Sequence, residues 1–248
     1  LPEISVLGQS GRTSSFDYLP TVSQVSGVKL ERKRQSTLGE TLSREAGVSS
    51  TFFGPNASRP VIRGLDGDRV RMLENGLGVL DASGASPDHA VSVDPLLVES
   101  IEILRGPSAL MYGSSAVGGV VNVRTNRISE KLDENEIKFN TRYTSVDQGR
   151  SFGGVARWKL GNFVLHLDGA ARGSEDYAVP GFARTQTKRE SAPLTSGVED
   201  FDHVSNSSNR TDQGALGASY LFENGFVGGA LSGFVSNYGT VAEKTVMI

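Results

Sequence analysis

Val98-Glu99-Ser100-Ile101-Glu102-Ile103-Leu104-Arg105-Gly106-Pro107 runs on through Ser108-Ala109-Leu110-Met111-Tyr112-Gly113 and Ser114-Ser115-Ala116-Val117 to Gly118-Gly119-Val120-Val121-Asn122-Val123. Ile101 to Arg105 alternates apolar and polar side chains, the pattern of a half-buried strand. Gly106-Pro107 then turns the chain. Gly118 to Val123 predicts a further strand, the last of a compact mixed α/β domain.

Upstream signals complete that domain. Thr37 to Glu40 fits a capping box, in which a hydroxyl and a carboxylate satisfy free amides at a helix start. Leu38 and Leu42 share one face of the predicted helix, and Gly47 is placed to end it. Val61-Ile62-Arg63 and Arg69 to Leu73 predict short strands, the second followed by an Asn75-Gly76 turn. Asp94 caps, and Pro95 opens, another short helix.

Downstream the texture changes, near residue 126. Ile137, Phe139, Thr141 and Tyr143 face one way, and Lys138, Asn140, Arg142 and Thr144 the other. Phe152, Ala156, Trp158 and Leu160 repeat the pattern against Arg157 and Lys159. Phe163, Leu165, Leu167, Gly169 and Ala171 repeat it against His166, Asp168 and Arg172. Two more such segments follow, about 211–222 and 226–238. Each is long enough to cross a bilayer as a tilted strand, which takes roughly 9–11 residues. Gly161-Asn162 and Glu223-Asn224-Gly225 are tight turns, whereas 147–150 and 175–209 are longer polar links. Short and long links therefore alternate, as between periplasmic turns and extracellular loops. Five strands cannot close a barrel, whose smallest version has about 8, so a fragment of a longer protein is expected.

Composition narrows the function classes. With 25 Lys plus Arg against 28 Asp plus Glu, the net charge of -3 gives no basic face for nucleic acid. No Cys is present, which removes disulfides, thiol nucleophiles and thiolate metal sites. Gly is abundant, 30 of 248 residues, which suits tight turns and close backbone packing. No apolar run approaches the roughly 18 residues of a membrane-spanning helix. Leu1 opens the sequence without an export signal, so an exported protein would be met in mature form. Gly113 and Gly118 have P-loop spacing, but Gly119-Val120 stands where Lys and Ser or Thr belong. Metalloprotease and nucleophile-elbow patterns are missing. Asp66-Gly67-Asp68 reads as a turn without the remaining EF-hand ligands. Asn56, Asn206 and Asn209 begin glycosylation-type triplets of a kind that chance supplies.

The segment from Val98 to Val123 resembles the signature of TonB-dependent receptor plugs. Pro60-Val61-Ile62-Arg63-Gly64-Leu65 is similar to that family's Arg-Gly strand, and Arg69-Val70-Arg71-Met72-Leu73-Glu74-Asn75-Gly76 to the strand after it. The three motifs stand in the family's order over roughly residues 36–126. The resemblance implies an α+β plug domain, a small mixed sheet with short helices, followed by the antiparallel strands of an incomplete transmembrane β-barrel. Its expected organisation is a TonB box and N-terminal segment over 1–10, the plug over 11–126, and about five barrel strands over 127–248. It also implies a bacterial outer-membrane location, lipid around the barrel, TonB as energy-transducing partner, and transport without chemistry on the cargo. Leu1-Pro2-Glu3-Ile4-Ser5-Val6 is similar to the TonB-binding box, with Ile4, Ser5 and Val6 at its centre. An apolar, β-prone terminus of this kind can add a strand to a partner's sheet edge, although a frayed terminus reads the same way.

The cargo is the finer question. Asp81 to Ala90 sits where the family's plug presents an apical loop, and it resembles zinc-uptake members in which an Asp-His pair ligates metal. Carried over, the candidate ligands are Asp88 and His89. Imidazole and carboxylate suit Zn²⁺, but a tetrahedral ion needs about two more donors. No resident cofactor is implied, the zinc ion being the transported ligand. Asp200, Asp202 and His203, next to Glu199, form a weaker candidate cluster that reads equally as a hydrophilic loop tip. His166 is expected to face the lumen as a plug or water contact. A ferric siderophore, haem or cobalamin is the alternative cargo. A passive surface-binding or adhesion protein is the reading of another class, separated from a transporter by testing whether uptake depends on the inner-membrane energy source.

Overall fold

The computed structural model of the chain describes residues 22–79, 82–131, 134–194 and 198–241. The first part is built from β1 (Val22–Ser26), α1 (Gly27–Lys33), α2 (Leu38–Leu42), β2 (Val48–Ser50), β3 (Pro60–Ile62), β4 (Val70–Glu74), β5 (Leu77–Gly78), β6 (Ser100–Leu104) and β7 (Gly119–Arg124). Five strands make one mixed sheet in the order β1-β6-β7-β4-β5, with β4 and β7 parallel and the other pairs antiparallel. β2 and β3 pair separately.

Local signals place several of these elements. The Thr37 hydroxyl accepts a hydrogen bond from the Glu40 amide at 3.2 Å and donates to the Glu40 carboxylate at 3.1 Å, closing the cap of α2. Burial raises the Glu40 carboxyl above its ordinary range, against the lowering effect of its Thr37 bonds and of nearby Arg172. Leu38 and Leu42 are fully buried, in the cluster that includes Val25, Leu30, Ile62, Ile101, Ile103, Val121 and Val123. Burying a side chain of this size contributes roughly 1.5–3 kcal/mol. Asn75 and Gly76 both take positive φ, 51° and 81°, as a two-residue hairpin between β4 and β5 requires. Asp94 accepts from the Leu96 amide at 2.8 Å and caps a single 3-10 turn, Pro95–Leu97.

Two expectations are corrected here. α2 ends at Leu42, not at Gly47; the positive φ of Gly47 instead serves the turn that feeds β2, closed by the Val48 amide on the Glu45 carbonyl. β6 is not half-buried, because Ile101 and Ile103 lie in one core cluster and Leu104 in another. It also lies between β1 and β7, so both of its edges are paired.

Thr37→Ala should weaken α2 by about 1 kcal/mol, the usual cost of losing such a cap. Hydrogen exchange of the α2 amides should accelerate several-fold; unchanged exchange would mean that packing alone holds the helix.

The second part is an antiparallel meander of β8 (Glu136–Thr144), β9 (Gly149–Leu160), β10 (Phe163–Ser174), β13 (Asn209–Phe222) and β14 (Gly225–Tyr238), ordered β14-β13-β10-β9-β8. Its strands are 9 to 14 residues long. Tight hairpins join Leu160 to Phe163 and Phe222 to Gly225 at one end. At the other end lie the 145–148 link and the long loop 175–208. That loop is not featureless: it carries β11 (Ala178–Phe182), α3 (Gln186–Ser191) and β12 (Phe201–His203), with β11 and β12 paired.

The alternation holds across the meander. Ile137, Phe139, Phe152, Leu160, Phe163, Leu216 and Leu231 are exposed on the outer face. His166, Asp168, Thr211, Ala215 and Ser219 are buried on the inner face, beneath the first part of the chain. No helix among the described residues is long and apolar enough to cross a membrane.

Candidate functional site

The segment 82–94 crosses the long-loop end of the inner face. A 3-10 turn at Ala82–Gly84 leads to Ser86, whose hydroxyl donates to Asp88 Oδ1. The same oxygen lies 3.1 Å from His89 Nδ1. The Ser86 bond, and after it the His89 bond, hold the Asp88 carboxyl below the usual carboxylate range. Both side chains are half exposed. Nδ1 is turned to Asp88, and His89 Nε2 has no hydrogen-bond partner among the described residues.

Wall side chains hold this segment at two points. The Tyr238 hydroxyl, at the end of β14, donates to the Asp88 carbonyl at 3.1 Å and accepts from the Ala90 amide at 2.8 Å. Arg172 of β10 pairs with Asp94 at 3.3 Å. Arg172 also donates to the Ser36 carbonyl and to Asn56 Oδ1, and Asn56 in turn donates to Thr211 and Ser236 at 2.9 Å each. Tyr238 and Asn209 are register partners, and the long loop ends just before Asn209. The Asp88-His89 pair therefore faces the long-loop side.

The second predicted cluster is occupied otherwise. Asp200 accepts from the Ser205 amide and hydroxyl, Asp202 from the Gly181 amide at 3.1 Å, and His203 Nδ1 lies 3.0 Å from the Phe201 carbonyl. Glu199 pairs with Arg184 at 2.8 Å. These bonds fasten the β11–β12 hairpin. Among the described residues, no group of three or more His, Cys, Asp or Glu side chains assembles that could hold a metal ion. Asp88 and His89 meet each other but no third donor. Ile4, Ser5 and Val6 lie outside the described residues, as does Asp81 at the start of the apical stretch.

Residues 15–120 match the family described as the TonB-dependent receptor plug domain. The chain carries a TonB-dependent receptor plug. Its location is accordingly the outer membrane. A hemin receptor of Yersinia pestis is 32% identical over 152 residues, which is 60% of this chain and 22% of that protein. Among solved structures, the copper transporter OprC aligns with a TM-score of 0.69 at 16% identity, over 90% of this chain and 32% of that one. The siderophore receptor PirA of Acinetobacter baumannii aligns with a TM-score of 0.61 at 20% identity, over 88% and 32%. At such identities the structures establish the fold: plug sheet inside, barrel strands outside. The chain spans between about a fifth and a third of the length of these relatives.

The plug leaves its sheet through a second polar junction that no local pattern announces. Arg127, just after β7, places Nε 2.8 Å from Asp168 Oδ2 and Nη1 2.6 Å from Glu74. His166 Nε2 lies 2.8 Å from the same Asp168 oxygen. Arg157 of β9 bonds Glu136 and lies 3.4 Å from Glu99 of the plug. His166 thus faces the plug, as the strand alternation predicts. Tyr238, which alternation marks only as the end of a strand, is the wall contact of the 82–94 segment that the sequence reading did not single out.

Proposed function

We propose that this chain is the N-terminal part of an importer energised through TonB, whose cargo is zinc or a related divalent ion. One observation carries the reading: the Asp88-His89 pair stands on the long-loop side with Nδ1 engaged and Nε2 available. Asp88 orients the ring and strengthens it as a donor, the role a carboxylate plays behind a metal-bound imidazole. In this reading His89 is the first ligand, and the second Asp88 oxygen or loop residues complete the ion's shell. Ile4, Ser5 and Val6 are proposed to pair with TonB as an added strand.

Two observations favour haem or another iron chelate as the second reading. The Yersinia pestis relative is named a hemin receptor. In the long loop, Arg189 lies 3.9 Å over the Phe182 ring, and Phe182 meets Phe201 edge-on with centroids 5.0 Å apart. A planar aromatic ligand suits such a surface.

Metal content of the full-length receptor after zinc loading decides between them. Near-stoichiometric zinc in the parent, with affinity lowered at least about tenfold in Asp88→Ala and zinc lost in His89→Ala, is the expected result. Zinc absent from the parent, together with a haem absorption shift on haemin titration, would replace the ion by the chelate.

A further inference from the structure

Tyr238 reaches the apical loop through main-chain bonds alone. Its hydroxyl accepts from the Ala90 amide and donates to the Asp88 carbonyl, so it brackets His89 from both sides. The phenol comes from β14 and the loop from a segment about 150 residues earlier. Side-chain bonding within the loop is short-range: Ser86 to Asp88, and Asp88 to His89. Those bonds set the pair's internal geometry but not its place over the lumen. Asp94, pinned by Arg172, fixes the far end of the segment, four residues beyond Ala90. Between Ser86 and Asp94, Tyr238 is the wall residue that bonds the backbone of the pair.

We infer that Tyr238 is the positioning residue of the cargo site, fixing the Asp88–Ala90 backbone so that the His89 imidazole faces the incoming ion. This rests on the reading of Asp88 and His89 as ion ligands. A tyrosine suits the task because one hydroxyl both donates and accepts, and its ring loses little rotamer freedom when held. Removing the hydroxyl leaves the pair's backbone held by bonds within its own loop, such as the His89 amide on the Ser86 carbonyl, without touching either ligand. Its effect should therefore appear in affinity and coordination geometry, while the ligands themselves remain.

The test compares Tyr238→Phe, His89→Ala and Asn56→Ala in the full-length receptor, titrated with zinc chloride and, for a spectrum, with cobalt(II). Asn56→Ala removes plug–wall bonds at the same end of the barrel without touching the Asp88–Ala90 backbone. The expected result is zinc affinity reduced about tenfold in Tyr238→Phe, at the low end for loss of an outer-shell partner. A changed cobalt(II) visible spectrum should accompany it, with parental affinity in Asn56→Ala. If His89→Ala loses zinc while Tyr238→Phe binds like the parent, the positioning role is overturned and the site stands. If Tyr238→Phe and Asn56→Ala weaken binding equally, Tyr238 acts only by seating the plug, which also overturns the role. Zinc retained by His89→Ala overturns the site reading and the positioning role together.

Discussion

Asp168→Ala should loosen the plug's exit segment from the barrel wall by about 3 kcal/mol, the cost of breaking a buried pair from one side. Asp168 is 4% exposed and Arg127 9%, so neither can turn to solvent for compensation. With the carboxylate gone, Arg127 keeps only Glu74, and His166 loses the partner of its Nε2 while Nδ1 already lacks one. Three donors, Arg127 Nε and Nη2 and His166 Nε2, are then buried without that acceptor, which is what makes one-sided removal severe. Hydrogen exchange over residues 126–129 reads the effect directly, since the Ser129 amide donates to Ser219 of the wall at 3.0 Å. A loss of about 3 kcal/mol corresponds to exchange roughly two orders of magnitude faster, if opening limits it. Removing Arg127 as well should cost less than the two single losses added, because the second change relieves the charge stranded by the first. Parental exchange in Asp168→Ala would show that the junction contributes nothing to holding the plug.

What the sequence made legible was short-range. Thr37 caps α2 because its partner is three residues away, and Asn75-Gly76 turns because both residues tolerate positive φ. The meander is readable strand by strand, since a period of two decides which side chain lies on the outer face and which meets the plug. The misreadings have long-range causes. β6 looked half-buried because nothing in Ile101 to Leu104 reveals that Leu73, Ala109, Ala116 and Val120 pack over Leu104 on its second face. The parallel pairing of β4 with β7 depends on a crossover of more than 40 residues and leaves no local trace. In the long loop, Thr185 caps α3 through the Lys188 amide, but without an acidic partner three residues on, the box is incomplete.

The candidate site divides the same way. Asp88, His89 and Ser86 fall within four residues, so their mutual bonding could be anticipated from proximity. Tyr238 and Arg172 are joined to that loop only by the wrapping of barrel around plug. The acidic run at Glu199 to His203 shows the converse. Its composition suggests cation binding, yet the hairpin that contains it uses Asp200, Asp202 and Glu199 for its own amides, hydroxyl and guanidinium. Composition records which donors exist, whereas geometry decides what they are spent on.

Gly217→Ala is expected to unseat the same exit segment by steric means, and it separates contact from charge. Gly217 faces inward on β13, opposite His166 in register. A methyl group there would land on the Arg127 carbonyl oxygen and lie 2.9 Å from its carbon. Both obstacles are backbone, so no flexible side chain can yield. Nearby Gly228 of β14 leaves comparable room for Ile128, whose Cγ2 would lie 2.8 Å from an added Cβ. The exit segment therefore runs in a groove formed by missing side chains, with Ser219 supplying the acceptor at its floor. Overpacking of a tight contact costs roughly 1–3 kcal/mol, and the upper end is expected here because strand and segment must move apart. That separation also stretches the Arg127–Asp168 pair, so exchange at residues 126–129 should rise as it does in Asp168→Ala. Gly229→Ala is the internal control: its added methyl meets nothing within 4 Å, on the outer face. Gly229→Ala should exchange like the parent. If Gly217→Ala matches it, the plug does not lie in this groove, and the exit segment must be held by its ion pairs alone.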